Sequence, residues 1–222
     1  MKLRIVESLE VIFEALSEEY TVKEMRPREV REWMIKNHYL HREPRAKYAF
    51  GLFTNGGEMV GACSYGMPPI ALNKKFAPFS IYDLNRVALV KHEEKNLVSW
   101  FVSQTLKIFP DIPAIIISFA DPNVGHAGTI YQAMGFAYTG TGRKTEKYIV
   151  NGEAVPARTI SNRYGTASVP ALRKMGLDVQ VEMDEGKHRY FGFAGDKRQR
   201  RDMLRMIERY YTIQHYPKAD AI

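Results

Sequence analysis

"IPAIIISFADPNVGHAGTIYQAMGFAYTG", Ile112 to Gly140, is the stretch on which the fold turns. Its opening is a near-continuous apolar run, the pattern of a strand covered on both faces of a sheet. Asp121-Pro122 breaks that run, and glycines at 125 and 128 lead into a helix expected from about Gly128 to Met134. Gly135 ends the helix, and an aromatic strand follows from Phe136. Upstream, "IYDLNRVALV" (Ile81–Val90) reads as another strand and Leu97 to Phe109 as an amphipathic helix. Strand, helix and strand at this spacing form a parallel unit with a right-handed crossover. In such units ligands bind at the strand ends.

Outward from this centre, apolar periodicity predicts helices over 5–19 and 27–37, the second with Pro27 in its first turn. "KYAFGLFTNGGEMVGACSYG" reads as a hairpin turning at Asn55-Gly56-Gly57. "PPIALNKKFAPFS" reads as a Pro-punctuated loop. A further hairpin turns at Asn151-Gly152, followed by a short helix over 169–175, strands over 179–183 and 188–193, and a basic helix. The expected class is α/β: a mixed, mostly antiparallel sheet splayed around a central parallel pair and flanked by helices. With no Gly/Ser linker, residues 1–160 are expected to form the core and 161–222 an extension packed on it.

The chain has 222 residues, 45% hydrophobic and 12% aromatic, enough for one good core. No apolar run reaches the roughly 18 residues of a membrane helix, and acidic residues interrupt the N-terminal apolar positions. A soluble, cytoplasmic protein is expected, with no membrane partner. The single cysteine, Cys63, lies among apolar and small residues and reads as a buried structural thiol. The net charge of +7 admits a polyanionic partner without requiring one. "GDKRQRRDMLRMIERYY" gathers Lys197, Arg198, Arg200, Arg201, Arg205 and Arg209. That stripe reads either as a solvated helix face or as a row of phosphate contacts.

"GTIYQAMGFAYTG" (Gly128–Gly140) resembles the last motif of the GCN5-related acetyltransferase fold. There the matching tyrosine, here Tyr131, often protonates a leaving coenzyme A thiolate. The resemblance also implies donor contacts at Val87, Leu89, Asn96 and Ser99. The chain departs from that pattern in "VKHEEKNLVSW", which has no glycine and carries Glu93 and Glu94 where backbone N–H groups would approach a pyrophosphate.

A wider set, "NHYL", "YDLNRVALV", "ISFAD", "GHAGTIYQAMGFAYTG", "ARTISNRYGT", "KHRYFGF" and "YPK", spans residues 37–218 and resembles the bacteriophage Mom family of anti-restriction proteins. That resemblance implies conversion of adenine in double-stranded DNA to its N6-carbamoylmethyl form, inside an infected host cell. It also implies an association with iron and an acetyl-CoA-type donor. His38, Tyr39 and Asp121 carry over as candidates for chemistry or metal, a ligand set chemically acceptable to iron. Read without the resemblance, His38 is a helix C-cap and Asp121 an N-cap for the turn at Pro122.

Ser118, at the end of the apolar strand, is a further candidate, and His126, between two glycines, could hold an anion or carbonyl oxygen. Arg158, Ser161, Arg163 and Tyr164 combine phosphate donors with an aromatic, as a DNA cleft requires, although a solvated edge strand would look the same. Lys74 and Lys75, with Lys197, Arg198, Arg200 and Arg201, complete the expected DNA contacts. An enzyme acting on the adenine amine should flip the base against an aromatic wall, for which Tyr39, Tyr48 and Tyr65 are available. A homodimer is a further expectation. Two other readings stand beside this one: an ordinary coenzyme A-dependent N-acetyltransferase on a small amine or peptide, and a non-catalytic DNA-binding module.

Overall fold

A computed structural model describes residues 2–38, 41, 43–90 and 94–218, with the side chains of 2–10, 124, 145 and 156–158 left aside. The chain runs through α1 (Lys2–Glu19), β1 (Tyr20–Met25) and α2 (Pro27–Asn37). Helix α2 starts where Pro27 fixes the first turn and the Glu29 carboxylate accepts from the Arg26 N–H at 3.0 Å. The hairpin β2 (Tyr48–Thr54) and β3 (Met59–Gly66) leads to α3 (Ile70–Lys75), β4 (Ser80–Leu89) and α4 (Leu97–Lys107). Next come β5 (Ala114–Ala120), a 3-10 turn (Pro122–Val124), α5 (Thr129–Ala133) and β6 (Ala137–Thr141). The remainder is β7 (Thr145–Val150), β8 (Glu153–Pro156), α6 (Ala157–Tyr164), α7 (Val169–Lys174), β9 (Val179–Asp184), β10 (His188–Ala194) and α8 (Lys197–Glu208).

Three elements differ from expectation. Strand β1 replaces what read as a link between helices; it is a short, polar edge strand whose ladder to β2 supplies what its side chains do not. The segment expected as a Pro-rich loop contains α3, whose Leu72 and Phe76 pack inward. "ARTISNRY" is the helix α6 and not an edge strand.

Two units make up the chain. The first takes in residues 1–119, 128–140 and 189–217, and the second 120–127, 141–188 and 218–222. The boundary expected at 160 falls inside α6, and the last third of the sequence is shared between both units.

The first unit is built on the sheet β1-β2-β3-β4-β5-β10-β6. Strands β1 to β4 pair antiparallel, and β4 with β5 is the expected parallel pair. Strand alternation assigns the two faces. On one, α2 covers Ala49, Ala62 and Ala88, while α3 and α8 cover Ile81, Ile115, Ile117 and Phe191. On the other, α4 lies over Phe50, Tyr65 and Tyr82, with Phe109 edge-on to Tyr65 at 5.0 Å. Cys63 lies in this layer, fully buried, and burial pushes its thiol up, which makes it inert as expected.

The edge strand β6 is strapped by the chain after α8. Gln214 N–H donates to Tyr138 O at 2.9 Å and the Tyr216 hydroxyl to Phe136 O at 2.9 Å. Main-chain groups that would template a foreign strand are thereby occupied. Strands β10 and β6 are neighbours, yet most of the second unit, residues 142–187, is strung between them.

The second unit holds the sheet β8-β7-β9 with α6 and α7 around Tyr148, Val150, Val155, Ile160, Leu172 and Val179. Its hairpin turns as the sequence predicts, Asn151 and Gly152 both taking positive φ, at 50° and 83°.

Helix α8 belongs to the core through Met203 and Ile207, both 0% exposed, while its arginines face outward. Ile207→Ala is therefore expected to cost about 2–5 kcal/mol in urea denaturation. Arg201→Gln on the opposite face should stay within about 0.5 kcal/mol of the parent.

Candidate active site

The site begins where the parallel ladder stops. Strands β4 and β5 pair from Ser80–Ala114 to Asp83–Ile117, after which β4 runs on through Leu89 paired with β3 alone. The cause lies in the β3–β4 register. Ser64 faces Arg86 and Tyr65 faces Leu84, which leaves Asn85 as an extra, bulged residue. Its amide is fully used: Asn85 Nδ2 donates to Arg45 O at 3.0 Å, and Oδ1 accepts from the Ser64 hydroxyl at 2.7 Å. Ser118, fully buried, donates its hydroxyl to Leu84 O at 3.1 Å and braces the two strands at the mouth of the wedge.

On the α4 face lie Val87 and Leu89, half-buried on the unladdered stretch of β4. Asn96 takes a left-handed conformation (φ 66°) before α4, and Ser99 donates to its carbonyl at 2.9 Å. Glu94, the described acid of the glycine-free turn, accepts from the Tyr20 hydroxyl at 2.7 Å; that bond, ahead of burial, pushes the phenol up to about 12. Tyr131 on α5 stacks on Phe136 (5.7 Å, 26° between planes) and lies 5.3 Å from the Tyr190 ring. Helix α5 approaches Tyr190 so closely that a Cβ at Gly128 would come within 2.5 Å of it.

The α2 face carries the imidazole. His38 caps α2, its N–H donating to Met34 O at 2.9 Å, so its backbone performs the expected capping role. Its side chain is buried at 5% exposure. Arg86 stands on the same face by its register with Ser64, and its Nε is buried without a hydrogen-bond partner. Among the described residues no carboxylate pairs with it. Burial above all, with the Arg86 and His41 charges, pulls His38 from the usual 6.5 down to about 4. A neutral imidazole within electrostatic reach of the Arg86 guanidinium, whose Nη1 donates to Asn85 O at 2.6 Å, is an arrangement the sequence reading missed. The signal was the register slip that turns Arg86 toward α2.

Asp121 belongs to the second unit. It caps the 3-10 turn as its position predicts, Oδ1 accepting from Asn123 N at 3.0 Å and Asn123 Nδ2 at 2.8 Å. Its Oδ2 pairs with Lys187 at 3.1 Å. Partial burial raises its pKa, but the Asn123 and Lys187 bonds outweigh that, and the carboxyl lies below its usual range. Asn123 Nδ2 also donates to Asp184. His126 is exposed in the same unit. Tyr39 lies outside the described residues. Among the described residues no group of three or more His, Cys, Asp or Glu could hold a metal ion, and the expected set of His38, Tyr39 and Asp121 includes one residue outside them.

The basic candidates separate. Lys74 is exposed on α3, and Lys75 Nζ sits 4.2 Å from the Tyr211 ring centre and 4.6 Å from that of Tyr210. Arg189 Cζ lies 4.0 Å from the Tyr211 ring centre. Lys197, Arg198 and Arg201 are exposed on α8. Arg163 and Ser161 are exposed on α6, where Tyr164 packs on that unit's core. The Arg158 side chain lies outside the described set. Of the expected aromatic wall, Tyr65 is excluded: it is 0% exposed and bonded to Thr105 Oγ1 at 2.5 Å beneath α4.

The buried imidazole gives a pH signature. The unfolded chain binds a proton near pH 6.5 that the folded chain refuses until about 4, so stability present above 6.5 is lost as pH falls through that window. Urea melts at pH 7 and 4.5 should show a drop that His38→Asn reduces. An unchanged drop in the variant would place the effect elsewhere.

A model of the Mom protein family matches residues 19–218. The methylcarbamoylase of Escherichia phage Mu is 28% identical over 219 residues, covering 90% of this chain and 86% of that protein. Among solved structures, a ribosomal-protein-S5-alanine acetyltransferase of Vibrio fischeri is 12% identical, covering 81% of this chain and 95% of its own, at a TM-score of 0.45. A spermidine/spermine N-acetyltransferase of Vibrio cholerae is 8% identical, covering 84% and 96%, also at 0.45. With nearly its whole length matched by the family, the chain belongs to the Mom protein family.

Proposed function

We propose that this protein is a DNA-modifying transferase that attaches a carbamoylmethyl group to N6 of adenine in double-stranded DNA. The observation that carries the reading is the match along 90% of the chain to the phage Mu methylcarbamoylase. The wedge between β4 and β5 supports it, because a gap inside a sheet can be entered from both faces.

On this reading the donor lies on the α4 face along Val87 and Leu89, with Tyr131 as the acid for its leaving group. The flipped base enters from the α2 face, where His38 is neutral and able to accept a proton. The N6 nitrogen attacks the methylene carbon of the donor. The new N–C bond forms as the bond from carbon to the leaving group breaks, His38 takes the proton from N6, and Tyr131 gives one to the departing group. Asp121 and Ser118 act through position: Ser118 holds the wedge open, and Asp121 orders the turn that follows β5. Val87 and Leu89 offer an apolar path for a donor, while Glu94 near the start of α4 disfavours a pyrophosphate there. The exposed cations of α3 and α8 supply phosphate contacts that fix the duplex without reading sequence.

Nucleosides from plasmid DNA of expressing cells, resolved by mass spectrometry, test the proposal. A carbamoylmethylated adenosine is expected. Tyr131→Phe and His38→Gln should each lower its yield about 10²-fold or more while melting as the parent does. Unmodified DNA with turnover of acetyl-CoA would favour a small-amine acetyltransferase. Unmodified DNA bound with steep salt dependence would favour a non-catalytic module.

A further inference from the structure

The first unit contains a cavity of about 410 Å³ away from the wedge. It opens between the last turns of α4, the end of α5, strand β10 and the first turn of α8. Its lining includes Ile112, which precedes Ser118 at the wedge by six residues of extended chain, roughly 20 Å, while Phe136 at its inner edge stacks on Tyr131. The volume lies in the range of small-molecule sites.

Two kinds of wall meet in it. Leu106, Ile112, Met134, Phe136 and Phe193 supply carbon, including two aromatic rings. Lys107 and Arg200 supply positive charge, Ser103 a hydroxyl, and no aspartate or glutamate is among the lining residues. Arg200 is set in place beforehand. Its Nε donates to Gly195 O at 2.7 Å, which leaves both terminal nitrogens of the guanidinium for another partner. That anchor depends on Gly195, which takes φ 146°, and where a Cβ would strike Gln199 Oε1 at 2.6 Å. Gly192 contributes differently: any side chain there would run into the tip of the buried Phe136 ring, which packs against the strand beneath the cavity.

We propose that this cavity is a second ligand site, for a small anion with a planar body, of mononucleotide size. The anionic head binds between Lys107 and Arg200, and the ring stacks on Phe193, which is only partly buried. Arg200 and Lys107 are both exposed, so they stand at the rim of the cavity. The inference goes beyond the proposed transferase reaction, and nucleotide binding is read separately from DNA modification, so the failure of one is distinguishable from that of the other.

Isothermal titration calorimetry of the full chain with adenosine monophosphate tests it, with adenosine and inorganic phosphate as partial probes. Adenosine monophosphate should bind more tightly than either part. Lys107→Gln and Arg200→Gln should each weaken it about tenfold, the scale of a hydrogen bond to a charged group. Ser103→Phe, which fills the cavity and keeps both cations, should abolish binding. Melting temperatures equal to the parent identify the variants that remain folded. Absence of binding at millimolar nucleotide, or affinities unmoved by all three substitutions, would overturn the proposal. So would displacement of the nucleotide by a short DNA duplex, which would make the two cations part of a DNA face.

Discussion

A sheet gains its stability by pairing every main-chain group, so opening one from within demands replacements for the bonds given up. In this protein the opening starts after Asp83–Ile117 and the replacements are side chains. The Ser118 hydroxyl serves Leu84 O, and the Asn85 amide joins Arg45 O to Ser64 across the bulge. Without these bonds β4 and β5 would be expected either to zip together or to leave buried carbonyls unsatisfied. The bulge also decides which way β4 presents its residues. Val87 and Leu89 turn to the α4 face and Arg86 to the α2 face, so a hydrophobic approach and a charged one are kept on opposite sides of one gap.

The parts of the fold that the sequence announced are those where local chemistry has one outcome. The β5 run has no polar residue before Ser118 to make it a surface strand, and Asn151-Gly152 suits little besides a tight hairpin. Gly135 stops α5 because only glycine takes its positive φ without strain. What stayed hidden depends on partners distant in sequence. Strand β1 carries Lys23 and Glu24 and becomes a strand by lying against β2. Helix α3 is short and begins after two prolines, and is held by Phe76 in a core completed by α8. In the site, Tyr131 could be found from its motif. The placement of Arg86 on the face that carries His38 could not, since it follows from a one-residue slip in a ladder. The same holds for Asp121: its sequence position specifies a cap, and its pairing with Lys187 is a tertiary fact.

Charge composition was a weaker guide than charge placement. The stripe on α8 reads as one feature in sequence, yet its members are used differently: the inner face of the helix is core, Arg200 is tied to Gly195 beside a cavity, and Lys197, Arg198 and Arg201 face solvent. Lys75 and Arg189 spend their charge on the ring of Tyr211, which holds the chain after α8 in register over the sheet. A net charge of +7 is thus distributed among cations that stack on rings, one that borders a cavity and others that face solvent alone.

Strands β10 and β6 lie side by side although residues 142–187 leave and return between them. Closing a chain excursion costs only slowly more as it lengthens, about 0.6 kcal/mol for each doubling. The junction therefore works as a splice point, tolerant of what is inserted there so long as the two strand ends meet. Selection can enlarge, trim or replace much of the inserted module so long as the partners of Asp121 and Asn123 are kept, while the bonds that brace the wedge come from residues outside it.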